Sequence, residues 1–373
     1  MSFRHGRKRR GHFGKCAAGE IPDGHENMSN ETQTGTARDG ALLQRATRAY
    51  MTEDRGRTWR LLIGTLLVVA ALWAAVILLP WWWAKLLAGV VLGMTYVRLF
   101  IFFHDYQHGA ILHGSLPGKL VMEATGIWLL STGSVWRETH DYHHRNNAKV
   151  LGSSIGSYPV VTLPIWRRMN ARQRFLYRAA RHPLNIFLGY FTVFAIGMSI
   201  SPFRRSPKEH WLGPVALLTH IAIAVAVGLV AGWVLALTLI VVPAMVATGL
   251  GAYLFYVQHN FPDIELRDRR SWDYHHAALR SSSMFDMPSI LHWFTGNIGY
   301  HHIHHLNHRI PFYRLPEAYA GLPELQNPGR TSWRPSDMAA CLRLAVWDPE
   351  ANRMITWSEL RERTAEGSRE AAA

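Results

Sequence analysis

The sequence predicts an all-α integral membrane protein with four transmembrane helices, and three observations support this fold class. Residues 214–257 contain no Asp, Glu, Lys or Arg, and at about 1.5 Å per residue they make roughly 66 Å of helix, enough for two bilayer crossings. Residues 61–79 and 86–103 are also apolar and of spanning length, although Arg98 interrupts the second stretch. The formal net charge of +14 is carried by the segments around these stretches, which is typical of membrane proteins with basic cytoplasmic parts.

Two shorter apolar segments, residues 120–135 and 184–200, are not counted as crossings. Strongly basic sequences, WRRMNARQRFLYRAARHP and SPFRRSPKEHW, flank the second segment on both sides. Because Lys- and Arg-rich loops stay in the cytoplasm, both flanks prefer the same side, and we expect residues 184–200 to form interfacial helices. Four spans then leave both termini in the cytoplasm. Arg98 is close enough to the inner interface to snorkel there.

Composition divides the chain into three parts. Residues 1–58 begin MSFRHGRKRRGHFGK and contain few large apolar residues, so we expect a basic, largely disordered cytosolic segment. Its RKRR cluster is interpreted as the positive flank of the first span, and no nucleic-acid partner is expected. Residues 59–315 form the predicted membrane domain, and residues 316–373 form a cytosolic C-terminal segment.

Histidines occur at helical spacings in three places. One pair is spaced i, i+4, and two triplets are spaced i, i+3, i+4, so each set lies on one face of a helix and can direct its imidazoles at a common centre. In the predicted topology the three sets and His259, at the end of the fourth span, all emerge on the cytoplasmic side. The nine residues are His104, His108, His140, His143, His144, His259, His301, His304 and His305.

So many imidazoles in one place indicate a metal site. Protonating one imidazole raises the cost of protonating the next, and a bound metal resolves this conflict. Nine nitrogen ligands are enough for two metal ions with positions left open, whereas a mononuclear zinc site needs three or four. The His-Glu-x-x-His motif of zinc proteases is missing, as is the Glu-x-x-His motif of soluble di-iron bundles.

The sequences HDYQH, HDYHH and HHIHH, together with FYVQHNFPD, SWDYHHAALRSSS and FTGNIGYHHIHHLNHRIPFYRL, resemble the membrane fatty acyl desaturases. The resemblance is to the acyl-lipid branch with delta-12, omega-3 and delta-5 type enzymes, and it covers roughly residues 55–355. It implies a cytosolic helical cap in which the nine histidines hold two iron ions, with O2 as co-substrate and no catalytic residue beyond the metal ligands. Imidazole is a suitable ligand for iron.

Residues beside the histidines have predicted supporting roles. Asp105 and Asp141 each follow a histidine, and we interpret them as hydrogen-bond acceptors for imidazole N–H groups. Asn297, one turn before His301, is a candidate for holding a water at the metals. Tyr106 and Gln107 stand where the family often has small residues, so the position of the double bond is not inferred.

Other histidines have simpler interpretations. His302 is one residue out of register with His301, although an assignment shifted onto it stays open. His308, His275 and His276 are expected at the surface. His220 lies inside a span, where a neutral histidine bonded to a neighbouring helix is expected.

The resemblance also implies partners and a location. We expect an acyl substrate in a membrane lipid and a separate electron donor, ferredoxin or cytochrome b5-like with its reductase, because the His-Pro-Gly-Gly motif of a fused cytochrome b5 is missing. The protein is expected to be a multi-pass protein of a bacterial inner membrane, with its active site in the cytosol. The segments 165–182 and 204–208, rich in Arg and Lys, are interpreted as a lipid-headgroup anchor or as a docking surface for an acidic donor.

Two other functions stay open at this point. Related histidine-box oxygenases, namely fatty acyl, alkane or carotenoid hydroxylases and ketolases, carry the same motifs. A histidine-rich metal transporter would need ligands near the bilayer midplane, where only His220 lies.

Overall fold

The computed structural model describes residues 40–150 and 155–370, with side chains through residue 365. Helix α1 (Arg55–Leu78) begins after Asp54, whose side chain accepts the backbone N–H of Arg57. Helix α2 (Trp82–Gln107) follows after a short turn and packs along α1. Helices α3 (Leu116–Trp128) and α4 (Gly133–Asn146) continue from the end of α2.

A series of short helices leads to the second apolar pair. In order they are α5 (Leu163–Arg168), α6 (Ala171–Arg181), α7 (Pro183–Phe187), the π-helical α8 (Tyr190–Ile200), α9 (Ser201–Arg205) and α10 (Pro207–His210). The pair itself is α11 (Leu212–Ala231) and α12 (Trp233–Gln258), joined at Gly232. Gly232 has φ +94°, a conformation that glycine adopts without steric cost.

Four helices in the described residues are long and apolar enough to cross a membrane, and they are α1, α2, α11 and α12. The prediction of four spans in an all-α membrane fold is confirmed, and the shorter segment 184–200 is not among them. Only 22% and 17% of the apolar windows of α1 and α11 are buried, against 61% and 44% for α2 and α12. Helices α2 and α12 therefore form the inner pair, and α1 and α11 present more of their surface to lipid.

Glycines allow the inner pair to approach closely. A Cβ atom at Gly89 would lie 2.3 Å from the carbonyl oxygen of Thr238, and one at Gly93 would lie 2.7 Å from that of Pro243. Small residues four apart on an apolar helix permit this kind of backbone contact. This contact fixes α2 beside α12. It therefore also fixes the position of the histidine-bearing ends of the two helices relative to each other.

The chain after α12 is a cap of short elements. Its helices are α13 (Tyr274–Arg280), α14 (Ser289–Phe294), α15 (His301–Leu306), α16 (Leu315–Gly321), α17 (Pro335–Arg343) and α18 (Trp357–Glu370). Two small sheets accompany them. Strand β1 (Met284–Asp286) pairs in parallel with β2 (Arg330–Ser332), and β3 (Leu344–Asp348) pairs antiparallel with β4 (Arg353–Thr356).

Residues outside the expected boundaries at 58 and 315 pack on the rest of the protein. Residues 40–50 are helical and pack on the cap, where Gln44 Nε2 donates to the carbonyl oxygen of Leu306 and Asn307 Nδ2 donates to Thr47 Oγ1. Disorder therefore does not extend over residues 40–58, while the expectation for residues 1–39 lies outside the described residues. Cys341, beyond the second boundary, is buried in the main apolar core, so the C-terminal segment shares that core.

Arg98 does not snorkel to the interface, and this prediction was wrong. Its side chain is buried, its Nε donates to Thr65 Oγ1 at 3.0 Å, and its Nη1 donates to the carbonyl oxygen of Trp293 at 2.5 Å. The guanidinium also lies 4.5 Å from the centre of the Trp293 ring, a distance at which a cation is attracted to an aromatic face. Arg98 thus joins α1, α2 and α14.

Arg181 belongs to the arginine-rich run, yet its side chain is buried. Its Nη2 donates to Tyr256 Oη at 3.0 Å, to Asn260 Oδ1 at 2.8 Å and to the carbonyl oxygen of Leu344 at 3.2 Å. The guanidinium therefore holds together α6, the end of α12 and strand β3. Asn260 directly follows His259, so this contact also positions a predicted metal ligand.

Replacing Arg181 with Met should destabilise the protein. The change leaves the buried acceptors of Asn260 and Leu344 without a donor, and each such loss costs about 1–3 kcal/mol. We expect the thermal unfolding midpoint of the detergent-purified protein to fall by several degrees. Arg172, exposed on the same helix, supplies the control, since Arg172→Met should leave the midpoint unchanged. Equal midpoints for the two variants would contradict the role assigned to Arg181.

Candidate metal centre

The nine predicted histidines come together at one end of the helix bundle. Helix α2 supplies His104 in its last turn and His108 just after it, and His259 follows the end of α12. Helices α4 and α15 supply the two triplets. All nine side chains are buried except that of His140, which is partly buried. Four separate elements therefore converge on a single site.

The histidines form two groups, and within each group the candidate ligand nitrogens lie within 4.8 Å of one another. The first group is His104, His108, His140, His144 and His304. The second group is His143, His259, His301 and His305.

The triplets do not each point at one centre, as the sequence suggested. On α4, His140 and His144 belong to the first group and His143 belongs to the second. On α15, His301 and His305 belong to the second group and His304 belongs to the first. Residues spaced i, i+4 are 40° apart around a helix, whereas the residue at i+3 is 60° away on the other side. Each triplet therefore contributes an i, i+4 pair to one group and the middle histidine to the other.

The second group is a closed ring of Nε2 atoms. The Nε2–Nε2 distances are 3.1 Å from His143 to His259, 2.9 Å from His259 to His301, 3.1 Å from His301 to His305, and 3.2 Å from His305 back to His143. The centre of a square of this size is about 2.2 Å from each nitrogen, close to the roughly 2.0–2.1 Å of a metal–imidazole bond. The ring therefore has the dimensions of a metal ligand set.

Hydrogen bonds at Nδ1 direct the Nε2 atoms of this ring inward. His259 Nδ1 donates to the carbonyl oxygen of Ser281 at 3.1 Å, and His143 Nδ1 lies 2.6 Å from Ser157 Oγ. Because a carbonyl can only accept, the neutral ring of His259 carries its proton on Nδ1 and turns the lone pair of Nε2 towards the other nitrogens. Converging lone pairs repel one another, and a bound cation removes that repulsion.

The first group is arranged in a similar way. His144 Nε2 lies 3.0 Å from His140 Nε2 and 3.1 Å from His304 Nε2. His108 Nε2 is buried and has no hydrogen-bond partner among the described residues. A buried nitrogen without a partner is costly in a folded protein, and a metal ion would supply that partner.

Asp105 has the contacts expected of a residue that orients a ligand. Its Oδ1 lies 2.9 Å from His104 Nδ1, and its Oδ2 accepts the backbone N–H of Phe312 at 2.7 Å. Asn297 Nδ2 donates to the carbonyl oxygen of the same Phe312 at 3.1 Å. Asn297 has φ +57°, which asparagine tolerates better than most residues. Asn297 therefore supports the loop after α15, and among the described residues its side chain makes no hydrogen bond to an imidazole.

Asp141 does not occupy the position that the sequence suggested. Its side chain is exposed, and among the described residues no imidazole N–H group donates to its carboxylate. The expected role as an imidazole acceptor is not supported for this residue.

Burial favours the neutral form of the imidazoles on α4 and α15 and of His259. The pKa values of His140, His143 and His144 are lowered well below 6.5, first by desolvation and then by the neighbouring imidazoles. The same causes lower the pKa values of His304 and His305. The pKa of His259 falls to about 4. Neutral imidazoles have the lone pairs that metal binding requires.

Four other histidines lie outside the two groups. His302 Nε2 lies 3.0 Å from the carbonyl oxygen of Leu325, outside both groups. His220 lies 2.8 Å from Tyr190 Oη, a hydrogen bond between helices as expected. His275 and His276 are partly buried and bond to Gln44 and Glu265.

Sequence reasoning missed two residues beside the site. His308 is not at the surface, because its ring lies 4.6 Å from that of His108 and 5.2 Å from that of His144. Its i, i+4 spacing from His304 was a signal for this position. The ring of Trp136 lies within 5.1 Å of the rings of His104, His108 and His140, and it covers the first group with apolar surface.

An apolar cavity adjoins both histidine groups. It has a volume of about 350 Å³ and is lined mainly by side chains of α2, α8 and α12. His104 and His140 of the first group line it, as does His301 of the second. Pockets of this size and polarity hold small apolar ligands or parts of larger ones. The site thus combines two candidate metal positions with a space for an apolar chain.

Comparison with known proteins agrees with this description. A family profile described as fatty acid desaturase matches residues 80–336, which include all nine histidines. The chain is similar to a fatty acid desaturase from Bacillus subtilis, with 30% identity over 266 residues that cover 71% of this chain and 75% of that protein. It is also similar to an sn-1 oleoyl-lipid 12-desaturase from Picosynechococcus, with 23% identity over 62% of this chain and 67% of that protein.

A third relative is a chloroplastic sn-2 acyl-lipid omega-3 desaturase (ferredoxin) from Helianthus annuus, with 24% identity over 61% of this chain. The match covers 52% of that protein, so the chain spans about half of its length. All three relatives are named as desaturases, so the comparison does not favour the alternative functions of a hydroxylase or a metal transporter. The family profile covers well over half of this chain. The chain therefore belongs to the fatty acid desaturase family and is a fatty acyl desaturase, an oxidoreductase.

Proposed function

We propose that this protein uses O2 and a pair of iron ions to introduce a cis double bond into an acyl chain of a membrane lipid. The proposal rests on one observation, namely that histidines of both groups line the same apolar cavity. An acyl chain in that cavity lies beside both candidate metal positions at once. The names of two relatives include acyl-lipid or oleoyl-lipid, and this supports a lipid-linked substrate.

The nine histidines would hold the metals, five around one ion and four around the other. Iron fits this chemistry better than zinc, because desaturation is an oxidation and zinc has no redox activity. Iron bound there supplies the activation of dioxygen needed to remove two hydrogens from an unactivated pair of methylene groups. Asp105 and the carbonyl of Ser281 fix the orientation of His104 and His259 for this purpose.

The side chains that line the cavity would bind the acyl chain and exclude water from it. Tyr96, Phe100 and Leu254 line the cavity within the bundle, and Trp136 and Phe255 line it beside the histidines. The Phe255 ring also lies 4.9 Å from that of His143. Such apolar walls favour an extended hydrocarbon and disfavour water, which would otherwise reach the reactive carbons.

Electrons would come from a separate donor protein. The name of the relative from Helianthus annuus includes ferredoxin, and a ferredoxin or a cytochrome b5-like protein with its reductase would serve here. Exposed arginines on α5 and α6, such as Arg168 and Arg172, would attract an acidic donor and raise its rate of encounter.

The proposed topology places both termini and the metal centre in the cytosol of a bacterium. Helices α2 and α12 both carry their histidines at their C-terminal ends, so the α1–α2 turn and Gly232 lie at the opposite ends of these helices. Trp81, Trp82 and Trp83 at the first turn are more than half exposed, as in an aromatic belt at the outer interface. Residues 40–58 and 316–373 would then lie on the cytosolic side with the cap.

Metal analysis tests the ligand set. Protein expressed with ample iron should contain about two iron atoms per chain, and His304→Gln should lower the iron content and abolish activity. His302→Gln is the matched control, because His302 lies two residues away in the same buried helix but outside both groups. This control should retain iron and activity. One zinc per chain without iron would refute the di-iron centre.

A fatty acid profile tests the reaction. A host that expresses the protein should accumulate acyl chains with a new cis double bond in its membrane lipids, and a host that expresses the His304→Gln variant should not. Gas chromatography with mass spectrometry of the methyl esters identifies the product and the position of the double bond together. Hydroxylated chains in place of unsaturated ones would overturn the proposed reaction.

Reporter fusions test the topology. A reporter that is active only in the periplasm should be active when fused near Trp82 or Gly232, and inactive when fused after residue 205. The positive flanks of residues 184–200 should keep that segment on the cytoplasmic side. A strong periplasmic signal after residue 205 would show that this segment crosses the membrane.

A further inference from the structure

A groove between α18 of the cap and the earlier helices α5 and α6 lies apart from the histidines. Helices α5 and α6 form one side of it, α18 forms the other, and its volume is about 600 Å³. None of the nine histidines lines it. Helix α18 follows residue 336, where the family profile ends, so half of the groove lies outside the matched region.

Two tryptophans form the base of the groove. Trp166 is buried, and its ring lies 5.9 Å from that of Trp357 in an edge-to-face arrangement. Tyr177 packs on both rings, at 5.8 Å and 6.1 Å. This aromatic cluster joins α5, α6 and the start of α18, and it gives the groove a fixed shape.

Three arginines line the groove. The guanidinium of Arg178 lies 5.2 Å from the Trp166 ring and 5.9 Å from the Trp357 ring. Arg174 lies 5.4 Å from Trp166 and donates to the carbonyl oxygens of Trp166 and Arg167. Arg361 lines the opposite side on α18. Stacking on indole rings orients a guanidinium and leaves its N–H groups available.

No acidic side chain lines this groove among the described side chains. Neighbouring arginines of α18 and β4 are paired, Arg363 with Asp348 and Arg353 with Glu359. Arg178 and Arg361 make no ion pair with any carboxylate among the residues whose side chains are described. Over the side chains that the structure describes, the groove therefore concentrates positive charge without a lining carboxylate, which suits an anion with several oxygen atoms such as a phosphate.

Exposed apolar residues on α6 and α7 indicate where that phosphate comes from. Phe175 and Leu176 on α6 are 69% and 54% exposed, and Leu184 on α7 is 64% exposed. A soluble anion would need no such apolar surface, whereas a helix at the membrane interface combines basic side chains with exposed Phe and Leu. The protein is a membrane protein, so this apolar strip has lipid available to it.

We propose that the groove binds the phosphate of an anionic phospholipid headgroup, with Arg178 and Arg361 as its ligands and Phe175 and Leu176 in the adjoining lipid. Bound lipid would join α6 to α18 and hold the C-terminal helix at the membrane surface. The proposal concerns a site separate from the metal centre, and it stands whether or not the proposed reaction is correct.

Lipid binding to the purified full-length protein tests the site. Short-chain phosphatidylglycerol is titrated into protein in a neutral detergent, and retained lipid is counted by native mass spectrometry. The double variant Arg178→Gln/Arg361→Gln should weaken binding roughly 30-fold, because each basic residue near an anionic headgroup contributes several-fold to affinity. Phosphatidylcholine should bind weakly to both proteins.

A matched control separates the groove from general electrostatics. Arg168→Gln/Arg172→Gln removes the same charge from exposed positions outside the groove, and it should retain phosphatidylglycerol. Equal losses in the two double variants would overturn the site. Arg361→Glu is a single change at an exposed position, and it should also lose lipid while thermal stability and iron content stay normal. Retained lipid in that variant would contradict the proposal.

Two further experiments identify the molecule that binds in the groove. Inorganic phosphate at millimolar concentration should not displace the lipid, and displacement at that concentration would show a site for a soluble anion instead. If the groove variant binds lipid normally but responds differently to the concentration of an acidic ferredoxin, the groove is a docking site for the donor and the lipid proposal is wrong.

Discussion

The structure depends on holding nine imidazoles close together with their lone pairs directed inward. Desolvation lowers the pKa values of His140, His144 and His304, and the neighbouring imidazoles lower them further. The closed ring of Nε2 atoms around 3 Å apart is a repulsive arrangement unless a cation occupies it. The rest of the cap can be understood as the support that keeps this arrangement from relaxing.

That support comes mainly from backbone groups and buried cations. The carbonyl of Ser281 fixes His259, and Asp105 joins His104 to the backbone of Phe312. Arg181 binds the side chain that follows His259 and connects it to strand β3. These contacts bring together segments far apart in the chain, and they explain why residues beyond the four spans share one apolar core with them.

Local patterns made much of this predictable. The four spans follow from long apolar runs, and eight of the nine histidines follow from helical spacing, because both signals lie within a few turns of one helix. His259 follows from its position at the end of the fourth span. The partners of the histidines were not predictable in the same way. Ser157 and Ser281 lie in irregular segments with no periodicity, and Arg181 carries no mark that distinguishes it from the exposed Arg172 on the same helix. Asp105 and Asp141 have the same position relative to a histidine, yet only Asp105 faces one, because only there does the chain after α15 provide a neighbouring N–H.

The order of the histidines along α4 and α15 has a physical consequence for the metal centre. On each helix the i, i+4 pair belongs to one group and the histidine between them belongs to the other. On α4 the pair serves the first group, and on α15 the pair serves the second. Neither group can therefore form without both helices in place, and a rotation of either helix disturbs both groups together. Since His140 of α4 and His301 of α15 also line the apolar cavity, the same two helices set the position of both candidate metal sites relative to that cavity. The alternation thus couples the two ligand sets into one unit at the wall of the cavity.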